Sequence, residues 1–128
     1  MIIGVGIDFV KKEHFQKKVE KGGASFIKKV FCPKERERGE LLSEDLRLNH
    51  YAKRYAAKEA FVKALGTGFG IIGLQDVWVE NAPSGQPNLV LSENAQNYMK
   101  EKYKRPVHIH LSLSDDEDAI AIVILDLV

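Results

Sequence analysis

The sequence predicts a small α+β domain in which an antiparallel or mixed sheet packs against one long central helix. Three observations carry that expectation. The chain has 128 residues, the size of one domain spanning 1–128. Strand-like segments at both ends enclose segments of helical pattern, without the regular strand–helix alternation of a parallel α/β fold. Finally, two glycines in the first segment and a stripe of alanines in the strongest helix are complementary surfaces for close packing.

At the amino end, Ile3, Val5 and Ile7 alternate with Gly4, Gly6 and Asp8, the period of a half-buried strand. The glycine face admits a helix at short distance, and Asp8 stands on that face at the strand's end. Phe15, Val19, Phe26, Ile27 and Val30 suggest helical turns broken at Gly22-Gly23, and Cys32-Pro33 ends that element. Residues 34–48 are charged, with helical propensity but no clear apolar face. The spacing then predicts the main helix from Asn49 or His50 to Leu65, rich in alanine and stopped by Gly66. Its Ala52, Ala56 and Ala60 recur every four residues and suit the glycine face of the first strand, which would bring Asp8 and Glu59 together. Beyond Gly66-Thr67-Gly68, a strand is expected over Leu74–Glu80, a turn at 83–87, and a short strand near Asn88–Leu91. Ser92 is an N-cap for a helix ending before Pro106, and two last strands run over Val107–Leu113 and Ala119–Leu127.

Composition excludes several classes of function. Hydrophobic residues are 45% and charged residues 29%, an ordinary globular balance, and the net charge of +1 exerts no global pull toward nucleic acid or anionic membrane. The single cysteine, Cys32, offers no internal disulfide or thiolate cluster, which points to a reducing, cytoplasmic setting. No apolar run is long enough to span a bilayer, and the apolar start meets Asp8 too early for a signal peptide, so no membrane insertion is expected. Charge is nevertheless uneven. Residues 11–38 carry ten basic and four acidic side chains, whereas 112–128 carry five acidic ones and no Lys or Arg. Such a basic stretch is either a solvated face or a surface for an acidic or phosphorylated partner.

The residues that could carry chemistry are few. Asp8 and Glu59 each enter a segment patterned for burial, where a carboxylate must be paired, protonated or metal-bound. Two carboxylates with phosphate oxygens and water make an oxygen shell suited to Mg2+; the bland alternative pairs Asp8 with a lysine and Glu59 with Lys63. Arg54, Lys58 and Lys63 share a helix that runs into Gly66-Thr67-Gly68, cations and a flexible backbone that can meet phosphate, although a helix terminator explains Gly66 equally well. His108 and His110 share one strand face about 7 Å apart, a spacing that permits metal ligation but more often marks a polar face.

These residues fall within an ordered set of motifs: GVGID at Gly4–Asp8, FCPKE at Phe31–Glu35, YAKRYAAKEAFVKALGTG at Tyr51–Gly68, GQP at Gly85–Pro87 and HLSLS at His110–Ser114. The chain resembles the holo-acyl-carrier-protein synthases, the small bacterial type of 4'-phosphopantetheinyl transferase, over essentially its whole length. The resemblance implies transfer of phosphopantetheine from coenzyme A to a serine of apo acyl carrier protein, with release of adenosine 3',5'-bisphosphate, in fatty acid biosynthesis and lipid metabolism. It implies Mg2+ held by Asp8 and Glu59, phosphate contact by Lys63, and a homotrimer with active sites between subunits. It places Arg54, Lys58, Gly66, Gly68, Ser112 and Asp115 at the coenzyme A site, and assigns Glu35 a motif position of undefined role. The proton acceptor stays open between a carboxylate-oriented or metal-bound water and a glutamate side chain. An acidic carrier would dock on the basic segment of Lys11, Lys12, Lys17 and Lys18, with Arg54 nearer the site. Two positions depart from the pattern: Asp115 stands where the family's SLSH motif has histidine, and His14 where an early arginine is usual. Two other readings use the same groups, hydrolysis of a nucleotide pyrophosphate and a nucleotide-binding oligomer without turnover.

Overall fold

A close strand–helix contact organises the molecule, and it is visible in the computed structural model, which describes residues 1–128. In chain order the elements are β1 (Ile2–Val10), α1 (Lys12–Val30), α2 (Pro33–Glu40), α3 (Glu44–Leu65), β2 (Val77–Asn81), β3 (Pro87–Leu91), α4 (Glu93–Tyr103), β4 (Val107–Asp115) and β5 (Ala119–Leu127). One sheet has the order β1-β5-β4 and the other is the β2-β3 hairpin. Every pairing is antiparallel, so of the two sheet types anticipated only one occurs.

α3 crosses the inner face of the three-stranded sheet. A Cβ on Gly6 would come within 1.9 Å of the Ala60 carbonyl oxygen, and one on Gly4 within 2.3 Å of that of Ala64. Only glycine permits this approach. Ala52, Ala56 and Ala60 are fully buried beneath Ala119, Ala121, Val123 and Leu125 of β5. β1 is half buried, as its period requires, but the glycine side faces inward. Val5, Ile7 and Phe9 instead stand more than half exposed on the outer face. Around the other side of α3, Phe15, Phe26, Phe31, Tyr51 and Tyr55 form a chain of ring contacts between α1 and α3.

The start of α3 and the start of the strand near Leu74 differ from the sequence expectation, whereas the break in α1 follows it. α3 starts at Glu44, five residues before Asn49, with Glu44 and Asp45 in the first turn, where acidic groups favour the helix dipole. Its early turns lie at the surface and Leu46 is exposed, so hydrophobic periodicity could not reveal them. The anticipated strand at Leu74 begins as a 3₁₀ turn over Leu74–Asp76 and becomes extended only at Val77. Asp76 holds that turn, accepting hydrogen bonds from Gly73 N at 2.8 Å, Ser92 Oγ at 2.6 Å and Asn94 Nδ2 at 3.1 Å. α1 is a kinked helix, broken where Gly23 adopts φ 58° and ψ −148°. Gly66 closes α3 in the left-handed conformation, and Ser92 caps α4 through Ala95 N, both as the sequence indicates.

Candidate active site

The strand–helix contact ends where Asp8 leaves β1 and Glu59 leaves α3, and both carboxylates line one cleft with Lys11, His14, Lys18 and Tyr55. Lys63, one helical turn beyond Glu59, reaches across to Asp8 Oδ1 at 2.9 Å and to the Ile7 carbonyl at 3.1 Å. Glu59 therefore keeps no bridge to Lys63, and its carboxylate faces the Tyr55 hydroxyl instead. Burial, then the Glu59 and Asp8 charges, push the Tyr55 phenol up to about 12, so it remains a hydrogen-bond donor at neutral pH. No third His, Cys, Asp or Glu joins the two acids in a metal-binding group. Their donor chemistry nonetheless fits a hard divalent cation, because Mg2+ takes one or two carboxylates and completes its shell with water and phosphate oxygens. The Lys63 ammonium resting on Asp8 already shows that this oxygen attracts a cation.

Of the residues expected at the coenzyme, Lys58 lies in the interior and Arg54 is largely buried at the edge of a cleft. The Lys58 ammonium is fully buried and donates to Glu35 Oε1 at 2.8 Å, to the Leu74 carbonyl at 2.8 Å and to the Val77 carbonyl. All three protons are thus committed inside the protein, and Lys58 reaches neither cleft. Its placement is structural, and it also gives Glu35 a role as buried counter-ion. Glu35 Oε1 further accepts from Cys32 N at 3.2 Å, tying the start of α2 to the middle of α3. Arg54 is also largely buried, donating to the His50 carbonyl and to Asn81 Oδ1 at 3.2 Å each. Its Nε has no partner. Burial, then the Arg54 charge, lower the His50 imidazole to about 4, so it stays neutral, with its Nε2 2.8 Å from the Glu35 carbonyl oxygen.

A second cleft, lined by Arg38, Lys53, Arg54, Asn81, Leu113 and Asp115, is cationic. Asp115 is neither free nor solvent-facing: Oδ2 lies 3.3 Å from Lys12 Nζ and Oδ1 3.5 Å from Lys53 Nζ. The Lys12 ammonium is thus engaged with this carboxylate, and Arg54 is largely enclosed. Lys11, Lys17 and Lys18 remain at the surface of α1 and its approach, with Lys17 beside Glu13 at 3.8 Å and Lys18 5.3 Å from the Tyr55 ring centre. Gly66 and Gly68 both have positive φ, 78° and 70°, in the open segment past α3. Ser112 projects outward with His108, His110 and Ser114, on the face opposite α3, and so does not join Asp115 at the cationic cleft. His108 and His110 stack at 6.3 Å, with His110 3.4 Å from Asp126. The sequence motifs single out neither Tyr55 nor Lys53. Tyr55 sits four residues before Glu59, so helical spacing could have found it; Lys53 required knowledge of where β4 ends.

Paired carboxylates beside two groups of cations define a small α+β protein of the phosphate-handling class. The model of the 4'-phosphopantetheinyl transferase superfamily matches residues 4–123, and the chain belongs to that superfamily. It is 42% identical to the holo-[acyl-carrier-protein] synthase of Ruthia magnifica subsp. Calyptogena magnifica and 43% identical to that of Marinomonas sp. (strain MWYL1), covering 98% of each chain in both pairs. Among solved structures, the Neisseria meningitidis holo-[acyl-carrier-protein] synthase superposes with a TM-score of 0.90 at 28% identity, covering 98% of this chain and 99% of that one. The Bacillus anthracis synthase in complex with CoA (3',5'-ADP) gives 0.82 at 31% identity, covering 100% and 99%.

Proposed function

We propose that this chain is a holo-[acyl-carrier-protein] synthase, moving the 4'-phosphopantetheine group of coenzyme A to a serine of apo acyl carrier protein. The observation that carries this reading is Asp8 and Glu59 on one cleft with Lys63 reaching Asp8, in a chain 42% identical to such a synthase over nearly its full length. In the reaction the serine oxygen bonds to the β-phosphorus of coenzyme A, the pyrophosphate P–O bond breaks, and adenosine 3',5'-bisphosphate leaves. Asp8 and Glu59 would hold Mg2+, which when bound supplies charge neutralisation at the pyrophosphate. Lys63, more than half exposed beside Asp8, would offset charge on the leaving phosphate. The carboxylates orient the water that accepts the serine proton, and the Tyr55 phenol lines the same cleft beside Glu59. The cationic cleft around Arg38, Lys53 and Arg54 suits the phosphorylated nucleotide end, and exposed Lys11, Lys17 and Lys18 suit an acidic carrier.

Assembly as a homotrimer with sites between subunits belongs to the same proposal. It is supported by the outer face of the three-stranded sheet, where Val5, Ile7 and Phe9 of β1 stand beside Ile124, Ile122 and Ile120 of β5. An apolar face of this kind is a surface that association would cover. Ser112 and Ser114 of β4 border that face, so an interface there would return Ser112 to a neighbouring site. A cytoplasmic location follows from the reaction, and no helix is long and apolar enough to cross a membrane.

The test is incubation of purified chain with apo carrier and coenzyme A, with and without Mg2+, read by intact mass. The carrier should gain the mass of phosphopantetheine only with Mg2+ present. Coenzyme A consumed without carrier modification would establish hydrolysis instead, and stoichiometric binding without conversion would establish a binding protein.

A further inference from the structure

The acidic turn between β4 and β5 has no place in the chemistry above, yet it makes three hydrogen bonds to Lys12 at the start of α1. α1 begins without a cap of its own, since Lys11 at the N-cap position makes no side-chain hydrogen bond to the helix. The missing acceptor comes from the far end of the chain. Asp118 Oδ1 accepts from the Lys12 backbone N–H at 3.1 Å. The Lys12 side chain folds back over the same turn, donating to the Asp116 carbonyl at 2.7 Å and to Asp115 Oδ2 at 3.3 Å. Asp115 in turn reaches Lys53 of α3. The turn itself is closed by Asp116 N donating to the Asp118 carbonyl at 3.0 Å.

We propose that Asp118, with Asp115 and Lys12, is a positioning device that sets the first turn of α1 against the Asp8–Glu59 cleft and so presents the carrier-docking lysines in register with it. An uncapped helix start frays, because its first N–H groups lack partners. Here the fraying turn carries Lys11 and His14, which line the carboxylate cleft with Lys18. Phe15 anchors the next turn in the aromatic cluster, so loss of the strap would loosen the entrance and leave the fold in place. The Asp118 side chain accepts from the Lys12 backbone N–H, so it acts through the α1 backbone. The inference rests on the proposed transferase reading, because its readout is the carrier substrate.

The experiment compares Asp118→Ala with Asp118→Asn. Asparagine keeps an Oδ1 acceptor and caps as well as aspartate, whereas alanine does not. Both remove the same negative charge, which by itself would favour an acidic carrier and lower its KM. Asp118→Ala should raise the KM for carrier about fivefold while kcat and calorimetric coenzyme A affinity stay at wild type, and Asp118→Asn should bring the KM back to wild type or below. Equal behaviour of the two variants, an unchanged KM in both, or a coenzyme A affinity falling in step with the carrier KM would overturn the proposal. If the wild-type chain modifies no carrier at all, the transferase reading fails first, and that result is read directly from the unmutated protein. Unaltered coenzyme A binding also reports that each variant is folded.

Discussion

Glu59 and Asp8 are unequal partners in the uncomplexed chain, since Asp8 is held by Lys63 whereas Glu59 faces a phenol and a cleft. Glu59→Gln keeps the shape and the tyrosine contact but deletes the negative charge that a hard cation requires. Transfer at limiting Mg2+ should fall by about 100-fold or more, with the melting temperature close to wild type. Wild-type turnover at low Mg2+ would remove Glu59 from the metal site. A different residue governs acid stability. His50 is buried and neutral, with its folded pKa near 4 against an ordinary 6.5. The unfolded chain takes up this proton first as pH falls, so the stabilising contribution is complete above pH 6.5 and is lost as pH drops toward 4. The loss is on the order of 2–3 kcal/mol from this group. Urea unfolding of wild type and His50→Gln at neutral and mildly acidic pH should show a shallower acid slope in the variant; identical slopes would place the acid sensitivity elsewhere.

At the scale of elements, the contact of β1 with α3 both builds the core and aligns the two acids. The helix backbone stands so close that side-chain repacking cannot accommodate a methyl group on Gly6, because the opposing atom is the Ala60 carbonyl oxygen. Gly6→Ala should cost about 3 kcal/mol and lower the melting temperature by roughly 10 °C, measured calorimetrically. By levering Asp8 away from Glu59 it should also depress transfer in the protein that remains folded. A variant as stable and active as wild type would show that the strand can shift without consequence. The Lys58–Glu35 pair serves the same alignment from the opposite side of α3, joining it to α2 and to the approach to β2. Burying two charges there is tolerable only because the ammonium finds three acceptors.

For the whole molecule, the decisive surface is the outer face of the sheet. Ile7 is 57% exposed at its centre, beside Ile122. A chain of this size has a limited core, and covering that face would add apolar burial that a monomer lacks. Light scattering should give an oligomer, a trimer in the proposed assembly, and Ile7→Lys should shift it to monomer with loss of transfer. A wild-type monomer with full activity would exclude shared sites, and an oligomer unaffected by Ile7→Lys would move the interface to another surface.

Much was legible in the sequence because it depends on local chain chemistry. The glycine–alanine complementarity, the break at Gly23, the Gly66 stop and the Ser92 cap follow from steric and hydrogen-bonding rules that act within a few residues. The juxtaposition of Asp8 with Glu59 was an inference from that complementarity, because each acid stands at the end of one small-residue face, and both line one cleft in the structure. The early turns of α3 were hidden because they are surface turns without an apolar stripe. Partners of side chains distant in sequence were decided by tertiary structure alone. Lys58 resembles a phosphate contact in a linear motif, yet folding supplies it with Glu35 and two carbonyls, and a fully solvated alternative is closed off. Asp115 replaces a motif histidine in the linear sequence, and only the fold shows the end of β4 resting between Lys12 and Lys53. A charged side chain settles on the counter-charges that the fold brings near, and their identity is a property of topology, with no counterpart in local sequence.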